Sequence, residues 1–430
     1  MTHFPTTEQL IIAGEDPRLA LDATGANHYL CRPCADAELL RFGSSTATTI
    51  SPQAFAIADA FRQQWEDERQ HVSEAALCQH HAQMVEQSLR NMLQLKDSTA
   101  IMLTESGTMA HRQAITLLCE AEPEAEWLVL MIAEEETGRG VPTALSPEAY
   151  SVTCDAMPIR QPDGTPISDT IIAADLIQRT NHAIQAGKKV LMVLVDVSKS
   201  GAITPPLDVA LQLREAYPKQ LHLLLDGCQF RFSRQTLRAY LDKNIMVAIT
   251  GSKFLAAPSF SAALLLPEQE RQHSHPPHAG VLLRWHLACH TLQQFQQLDS
   301  QAVYQLIKTF AQAVQQKLTQ DDRFSPLMNT PLHRPWQQTE HWDSLPTIFP
   351  FFLHTDDTIM THGAALDCYH ALQQRGHAPI QLGRPMSIQG LGVFRLCLSA
   401  PLIIEAIQKN STKSLIAQAM WILDELTTYR

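Results

Sequence analysis

The sequence predicts an α/β fold, a mainly parallel sheet wrapped by helices in a large domain, followed by a smaller α/β C-terminal domain. Three observations predict it. Six short runs, at 100–103, 127–132, 190–197, 221–225, 247–249 and 262–266, are apolar apart from Asp196 and His222. Runs of that length with no polar face are strands buried on both sides. Helical patterns at 108–118, 171–186, 206–217 and 233–241 separate most of them, and strands alternating with helices build a parallel, doubly wound sheet. After Pro267 the character changes: a loop rich in His and Pro, 271–278, leads into a long helical stretch, 281–318. The tail then mixes strands (347–353, 392–398) with helices (360–374, 402–426).

The remaining segments fit that division. Residues 1–50 are irregular, with Gly, Pro, Ser and Thr in clusters, and 52–95 has a helical pattern. We therefore expect an N-terminal segment, 1–50, contributing to the small domain and the active site. A large domain spans 51–280, and a linking helix with the small domain spans 281–430. At 430 residues the chain is too long for one simple core.

Composition narrows the function classes. Asp and Glu number 44 against 33 Lys and Arg, a net charge of −11 with no long basic run. Such a chain binds nucleic acid or anionic membranes poorly and suits a small-molecule enzyme. No run approaches the roughly 20 apolar residues of a membrane helix, and the N-terminus shows no signal-peptide pattern. Nine scattered cysteines, an odd number, suit a reducing compartment. A cytoplasmic protein is expected.

In doubly wound sheets ligands bind beyond the carboxyl ends of the strands, so the residues there carry the functional reading. After 100–103 comes Thr104-Glu-Ser-Gly-Thr108, then a helix. Small residues at a helix start suit a phosphate, because free N–H groups and the helix dipole favour an anion. Plain capping by Ser106 or Thr108 is the alternative. After 221–225 comes Asp226-Gly-Cys-Gln229. A carboxylate at the end of a buried strand needs a cationic partner; a protonated pyridine nitrogen is one, and Arg231 is another. After 247–249 comes Thr250-Gly-Ser-Lys253, followed by the apolar Phe254-Leu-Ala-Ala-Pro258. Desolvation there would make the Lys253 amine nucleophilic; an ordinary surface lysine is the alternative.

Together, Ser106-Gly-Thr108, Asp226-Gly-Cys-Gln229 and Thr250-Gly-Ser-Lys253 resemble the pyridoxal-5′-phosphate (PLP) enzymes of fold type I, the aspartate-aminotransferase superfold. In particular, they resemble the class V aminotransferase and cysteine-desulfurase branch. It covers about 101–267 and, more weakly, 22–400. The resemblance implies PLP as cofactor, an amino-acid substrate and a homodimer with shared active sites. It implies that Lys253 carries the coenzyme as a Schiff base and moves protons at the substrate α-carbon. Ser106, Gly107, Thr108, Thr250 and Ser252 would hold the phosphate, Asp226 the pyridine nitrogen and Gln229 the phenolic oxygen. The usual ring-stacking histidine has no counterpart near 134–138, where Thr137 stands instead. Ser198 or Lys199 replaces an asparagine near the ring. Arg395, in the apolar run 393–399, would bind the α-carboxylate, as bidentate guanidinium groups do; an edge-strand arginine facing water is the alternative. Ser44-Ser-Thr46 resembles the segment lining the substrate pocket, which assigns Ser45 and Thr46 there. Arg384 with Arg395 would suit a substrate with two carboxylates.

Other signals are weaker. Lys199 also follows a strand and rivals Lys253. Cys31-Arg-Pro-Cys34 is a C-x-x-C without the strand–helix context of a redox pair or a second pair for zinc. His286 and His290 share a helix face but lack the zincin glutamate. His273, His275 and His278 read as a solvated loop, and no metal is expected. The desulfurase reaction resembles thiolate attack from a mobile loop before the carboxylate-binding arginine. Here that loop, 376–386, contains no cysteine, and Cys368 and Cys397 fall in regular elements. The reading therefore favours transamination, with α/β-elimination or substitution as the alternative. A non-catalytic PLP-fold protein and a thiol-redox protein are the remaining options.

Overall fold

The computed structural model describes residues 4–267, 276–334, 336, 340–355 and 358–429. The readings for His273 and His275 lie outside the described residues. In chain order the strands are β1 (Leu40–Phe42), β2 (Ala100–Thr104), β3 (Trp127–Ile132), β4 (Val152–Met157), β5 (Lys189–Asp196), β6 (Ile203–Thr204) and β7 (Leu221–Gly227). There follow β8 (Met246–Thr250), β9 (Ala262–Leu266), β10 (Phe324–Pro326), β11 (Ile348–Thr355), β12 (Thr358–Ile359), β13 (Ile380–Ile388) and β14 (Leu391–Cys397).

The larger sheet has the order β2-β9-β8-β7-β5-β3-β4, with β6 on β5. The run from β8 to β4 is parallel, whereas β9 is antiparallel to both its neighbours. Both faces are covered, as the apolar runs require. In β5, Val190, Met192 and Leu194 belong to one core cluster, and Leu191 and Val193 belong to another. Successive side chains point to opposite faces, so one strand feeds two cores. β4 escaped the sequence reading because Thr153 and Asp155 interrupt it and most of it is only half-buried.

The smaller sheet has the order β1-β13-β14-β11-β10, with β12 on β11. The segment 376–386, read above as a mobile loop, is corrected here: most of it is β13, parallel to β1 and antiparallel to β14. Gly383 and Pro385 look like breakers in the sequence, but the ladder accommodates them with a register shift between Gly383 and Met386. An extended, paired strand cannot swing as a loop does.

Three long helical patterns are each two helices. The 52–95 pattern divides into Pro52–Glu68 and Glu74–Leu93, with Ser73 Oγ accepting from Ala76 N at 3.4 Å. The 281–318 pattern divides into Ala279–Gln296 and Ser300–Gln320, where Asp299 Oδ2 accepts from Ala302 N at 2.7 Å. The 402–426 pattern divides into Ala400–Gln408 and Thr412–Leu426. N-cap side chains that satisfy free N–H groups restart a helix cheaply, and apolar periodicity carries straight across such a break.

The two sheets are tied together beside the strand ends. Ala400 N donates to Phe254 O at 2.8 Å. Arg231, buried, donates to Leu398 O at 2.7 Å and to Thr347 Oγ1 at 2.9 Å. These links carry β14, and with it Arg395, to the mouth of the larger sheet.

Candidate active site

All the residues nominated above line one open cavity of about 730 Å³. Its walls are the carboxyl ends of β2, β3, β5, β7 and β8, closed from the other side by β13 and β14.

The helix Gly107–Ala121 follows β2, and Ser106 caps it: Ser106 Oγ accepts from Met109 N at 3.2 Å. The N–H groups of Gly107 and Thr108 therefore have no acceptor within the helix. A Cβ on Gly107 would stand 2.7 Å from Cys228 Sγ and 3.4 Å from Thr250 Cγ2. The ends of β2, β7 and β8 thus converge at one point, which a side chain at 107 would fill. Thr250 Oγ1 donates to Cys228 O at 2.6 Å, locking two of those ends together.

Asp226, near the end of β7, is buried. Its Oδ1 accepts from Cys228 N at 3.1 Å, and its Oδ2 lies 3.6 Å from His111 Nε2. Pairing with Arg231, considered above, does not occur. That guanidinium is occupied by Ser44 Oγ, Thr347 and Leu398 O, and it stacks over Phe254 at 5.4 Å. His111 escaped the sequence reading. Its ring Nδ1 lies 2.7 Å from Gly107 O, one turn back. The available signal was its i+4 spacing from Gly107, which turns a helical side chain over the first turn.

Lys253 follows β8, and its Nζ donates to Ser45 O at 3.3 Å. The same carbonyl accepts from Gln229 Nε2 at 3.0 Å, so 45, 229 and 253 meet at a single oxygen. Burial lowers the Lys253 pKa; Arg395 and Arg231 add to this, while Cys228 and Asp226 oppose it. Gln229 Oε1 in turn accepts from Arg231 Nε at 3.3 Å.

Beyond the end of β3, Thr137 is buried and its hydroxyl has no hydrogen-bond partner among the described residues. Ser198 donates to Glu136 Oε2 at 2.7 Å, so its hydroxyl serves that carboxylate. Glu136 is itself buried; burial disfavours its charge, yet Arg160 and the hydroxyls of Ser200 and Ser198 hold its pKa below the ordinary range. Lys199 places its Nζ 3.0 Å from Glu134 O. Burial, reinforced by Arg395 and Lys253, brings its pKa down to about 7.

Arg395 is 3% exposed, so it does not face water as an edge-strand arginine would. It donates to Thr46 Oγ1 at 3.0 Å, to Lys199 O at 3.3 Å and to Arg384 O. Arg384 N also donates to Thr46 Oγ1, at 3.1 Å, but its guanidinium turns to the rim and donates to His28 O at 2.8 Å.

A polar ligand fits this lining. Ser45 Oγ, Thr137 Oγ1, Ser259 Oγ, Ser261 Oγ and Arg395 Nε are buried, line the cavity and have no hydrogen-bond partner among the described residues. Buried polar groups are ordinarily satisfied, and five exceptions around one cavity are complementary to something polar inside it.

The discounted signals stay apart from this site. Cys31 is buried, with burial pushing its thiol up to about 12, and Cys34 is exposed; both are free thiols. His286 packs on Phe61 with ring centroids 4.8 Å apart. Among the described residues no group of His, Cys, Asp or Glu could hold a metal ion. No helix among them is long and apolar enough to cross a membrane.

The chain has the fold of the PLP-dependent enzymes of fold type I. It is similar to a cystine C–S lyase solved with its product cysteine persulfide, at 13% identity over 89% of this chain and 98% of that one, TM-score 0.56. It is also similar to the cysteine desulfurase CsdA of Escherichia coli, at 13% identity over 89% and 94% of the two chains, TM-score 0.53. A third likeness is to TDC of Oryza sativa, solved with PLP and tryptamine, at 12% identity over 88% and 83%, TM-score 0.51. No known family model and no curated protein matches the sequence.

Proposed function

We propose that this protein is a PLP-dependent enzyme acting on an amino acid, with transamination as its reaction. One observation carries the reading: the enclosed amine of Lys253 shares a cavity with the buried carboxylate of Asp226 and the uncapped N–H groups at Gly107 and Thr108. Those three features match the three ends of the coenzyme in chemistry: an aldehyde for the amine, a pyridine nitrogen for the carboxylate and a phosphate for the helix start. Ser106, Gly107, Thr108, Thr250 and Ser252 would hold the phosphate, with Gln229 and Thr137 alongside the ring. Bound there, PLP supplies an electron sink for charge developing at the substrate α-carbon.

The chain's own groups do the rest. Asp226 keeps a proton on the ring nitrogen through its negative charge, and His111 behind it limits its movement. Lys253, with its depressed pKa, carries a larger neutral fraction near neutral pH than a solvated lysine, so it can accept and return a proton at the α-carbon. Arg395 binds the α-carboxylate with donors not used by Thr46, Lys199 and Arg384.

Transamination asks nothing more of the protein than these groups. A desulfurase-type attack asks for a thiolate that can reach the substrate. Cys368 and Cys397 are buried in regular elements, and burial together with Asp226 pushes the cavity thiol of Cys228 far above its ordinary pKa. Elimination or substitution is the second reading, favoured by the likeness to the C–S lyase. Incubation of the PLP-loaded protein with single amino acids, with and without a 2-oxo acid, separates the two. Transamination consumes the oxo acid and yields its amino acid; ammonia released without an acceptor supports elimination instead. Absence of both products would remove these two readings. A cytoplasmic homodimer completes the proposal.

A further inference from the structure

Lys199 is the one lysine in the cavity for which the proposed chemistry has no use. Its position is built, not incidental. Lys199 N donates to Glu136 O at 2.9 Å, Ser200 N donates to Glu136 Oε2 at 3.1 Å, and Gly201 turns the chain with φ +100. The Lys199 carbonyl accepts from Arg395 at 3.3 Å, which seats the two cationic residues side by side. Yet among the described residues the ammonium has one hydrogen-bond acceptor, the backbone oxygen of Glu134. The nearby carboxylate of Glu136 is already saturated by Arg160, Ser198 and Ser200. The side chains of Glu134 and Glu135 are exposed at the mouth and make no ion pair with it.

The other cations of the lining differ. Arg160 is neutralised by Glu136 and Arg18 by Asp16, and Arg384 is tied to His28. Arg139 is exposed at the mouth. Lys199 is half-buried in the cavity wall; an ammonium partly withdrawn from water without an anion is costly, and the same withdrawal lowers its pKa to about 7. An anion delivered by a ligand would remove that cost.

We infer that the cavity selects an amino acid with a second acidic group, which Lys199 binds while Arg395 holds the α-carboxylate. This rests on the proposed function and moves the two-carboxylate reading from Arg384 to Lys199. The substrate class is an amino acid whose side chain ends in a carboxylate, sulfinate or similar anion, a short chain's length from the α-carbon.

The test is binding without chemistry. The PLP-loaded protein is titrated with succinate and maleate, and separately with propionate and butyrate, following the coenzyme absorbance and the heat of binding. The dicarboxylates are expected to bind at least tenfold more tightly. Lys199→Met should abolish that preference and leave monocarboxylate binding within about twofold, whereas Lys199→Arg should retain much of it. Thermal melting verifies that each variant is folded; if Lys199→Met fails, Lys199→Gln replaces it. Equal affinity for the two ligand classes, no binding of either, or an undiminished preference in the folded variant overturns the inference. A protein that acquires no coenzyme band overturns the proposed function as well, so the two failures are told apart.

Discussion

His111 and Asp226 form a buried pair: the imidazole Nε2 lies 3.6 Å from Asp226 Oδ2, while Nδ1 lies 2.7 Å from Gly107 O. One histidine thereby couples the helix start, where a phosphate would sit, to the carboxylate, where a ring nitrogen would sit. At 3.6 Å the contact with Asp226 is too long for a hydrogen bond and acts by position. His111→Ala should therefore weaken PLP affinity modestly, by about threefold to tenfold, which is roughly 0.7–1.4 kcal/mol. Spectrophotometric titration of the apoprotein measures this. His111→Gln, which keeps a donor, should lose less, and an unchanged dissociation constant for His111→Ala would remove the coupling.

Gly107 is required by space. The Cβ of Gly107→Ala would press on Cys228 Sγ at 2.7 Å, and overpacking of this kind costs about 1–3 kcal/mol. The variant should melt several degrees lower and bind PLP weakly. The double variant with Cys228→Ala should recover much of the stability. Failure to recover would place the clash elsewhere.

Asp196 and Arg334 are both fully buried, with Arg334 Nη2 2.5 Å from Asp196 Oδ1, and Tyr240 donates to the same carboxylate at 2.7 Å. Removing one member of such a pair leaves an uncompensated charge, at about 3–5 kcal/mol. Arg334→Ala should lose that much in denaturant unfolding. The mutant Arg334→Met, if it lost only a few tenths, would contradict the assignment.

Lys199 sets a pH dependence. Its folded pKa of about 7 lies below the ordinary 10.5, first because it is buried and then because Arg395, Lys253 and Arg139 surround it, with Glu136 opposing. A lysine with a depressed folded pKa binds fewer protons folded than unfolded between those values, so stability rises with pH across that window. Lys199→Met should therefore be more stable than the parent near pH 7, by a margin that shrinks towards pH 10. Parallel melting curves for the two proteins from pH 6.5 to 10 would contradict this.

Much of this architecture is legible in the residues themselves. Six strands of the larger sheet announce themselves as nearly continuous apolar runs because both faces are covered, and the chemistry follows because polar residues at their ends stand out. What stays hidden has local causes. β4 is half-buried and carries Thr153 and Asp155. β13 contains Gly383 and Pro385, whose tolerance depends on a bulge against β14. His111 looks like any helical histidine until Asp226 is brought to it from 115 residues away. Lys199 and Lys253 are each a lysine after a strand, and the apolar, proline-containing segment after Lys253 favours it in the sequence. The fold gives Lys253 the Ser45 carbonyl and Lys199 Glu134 O beside Arg395.

The most direct measurement is chemical. Borohydride reduction of the PLP-loaded protein, followed by peptide mapping, locates the lysine that carries the coenzyme. The geometry predicts a single pyridoxyl adduct on Lys253, absent in Lys253→Ala. A label on Lys199, on a lysine outside the cavity, or on none would contradict it.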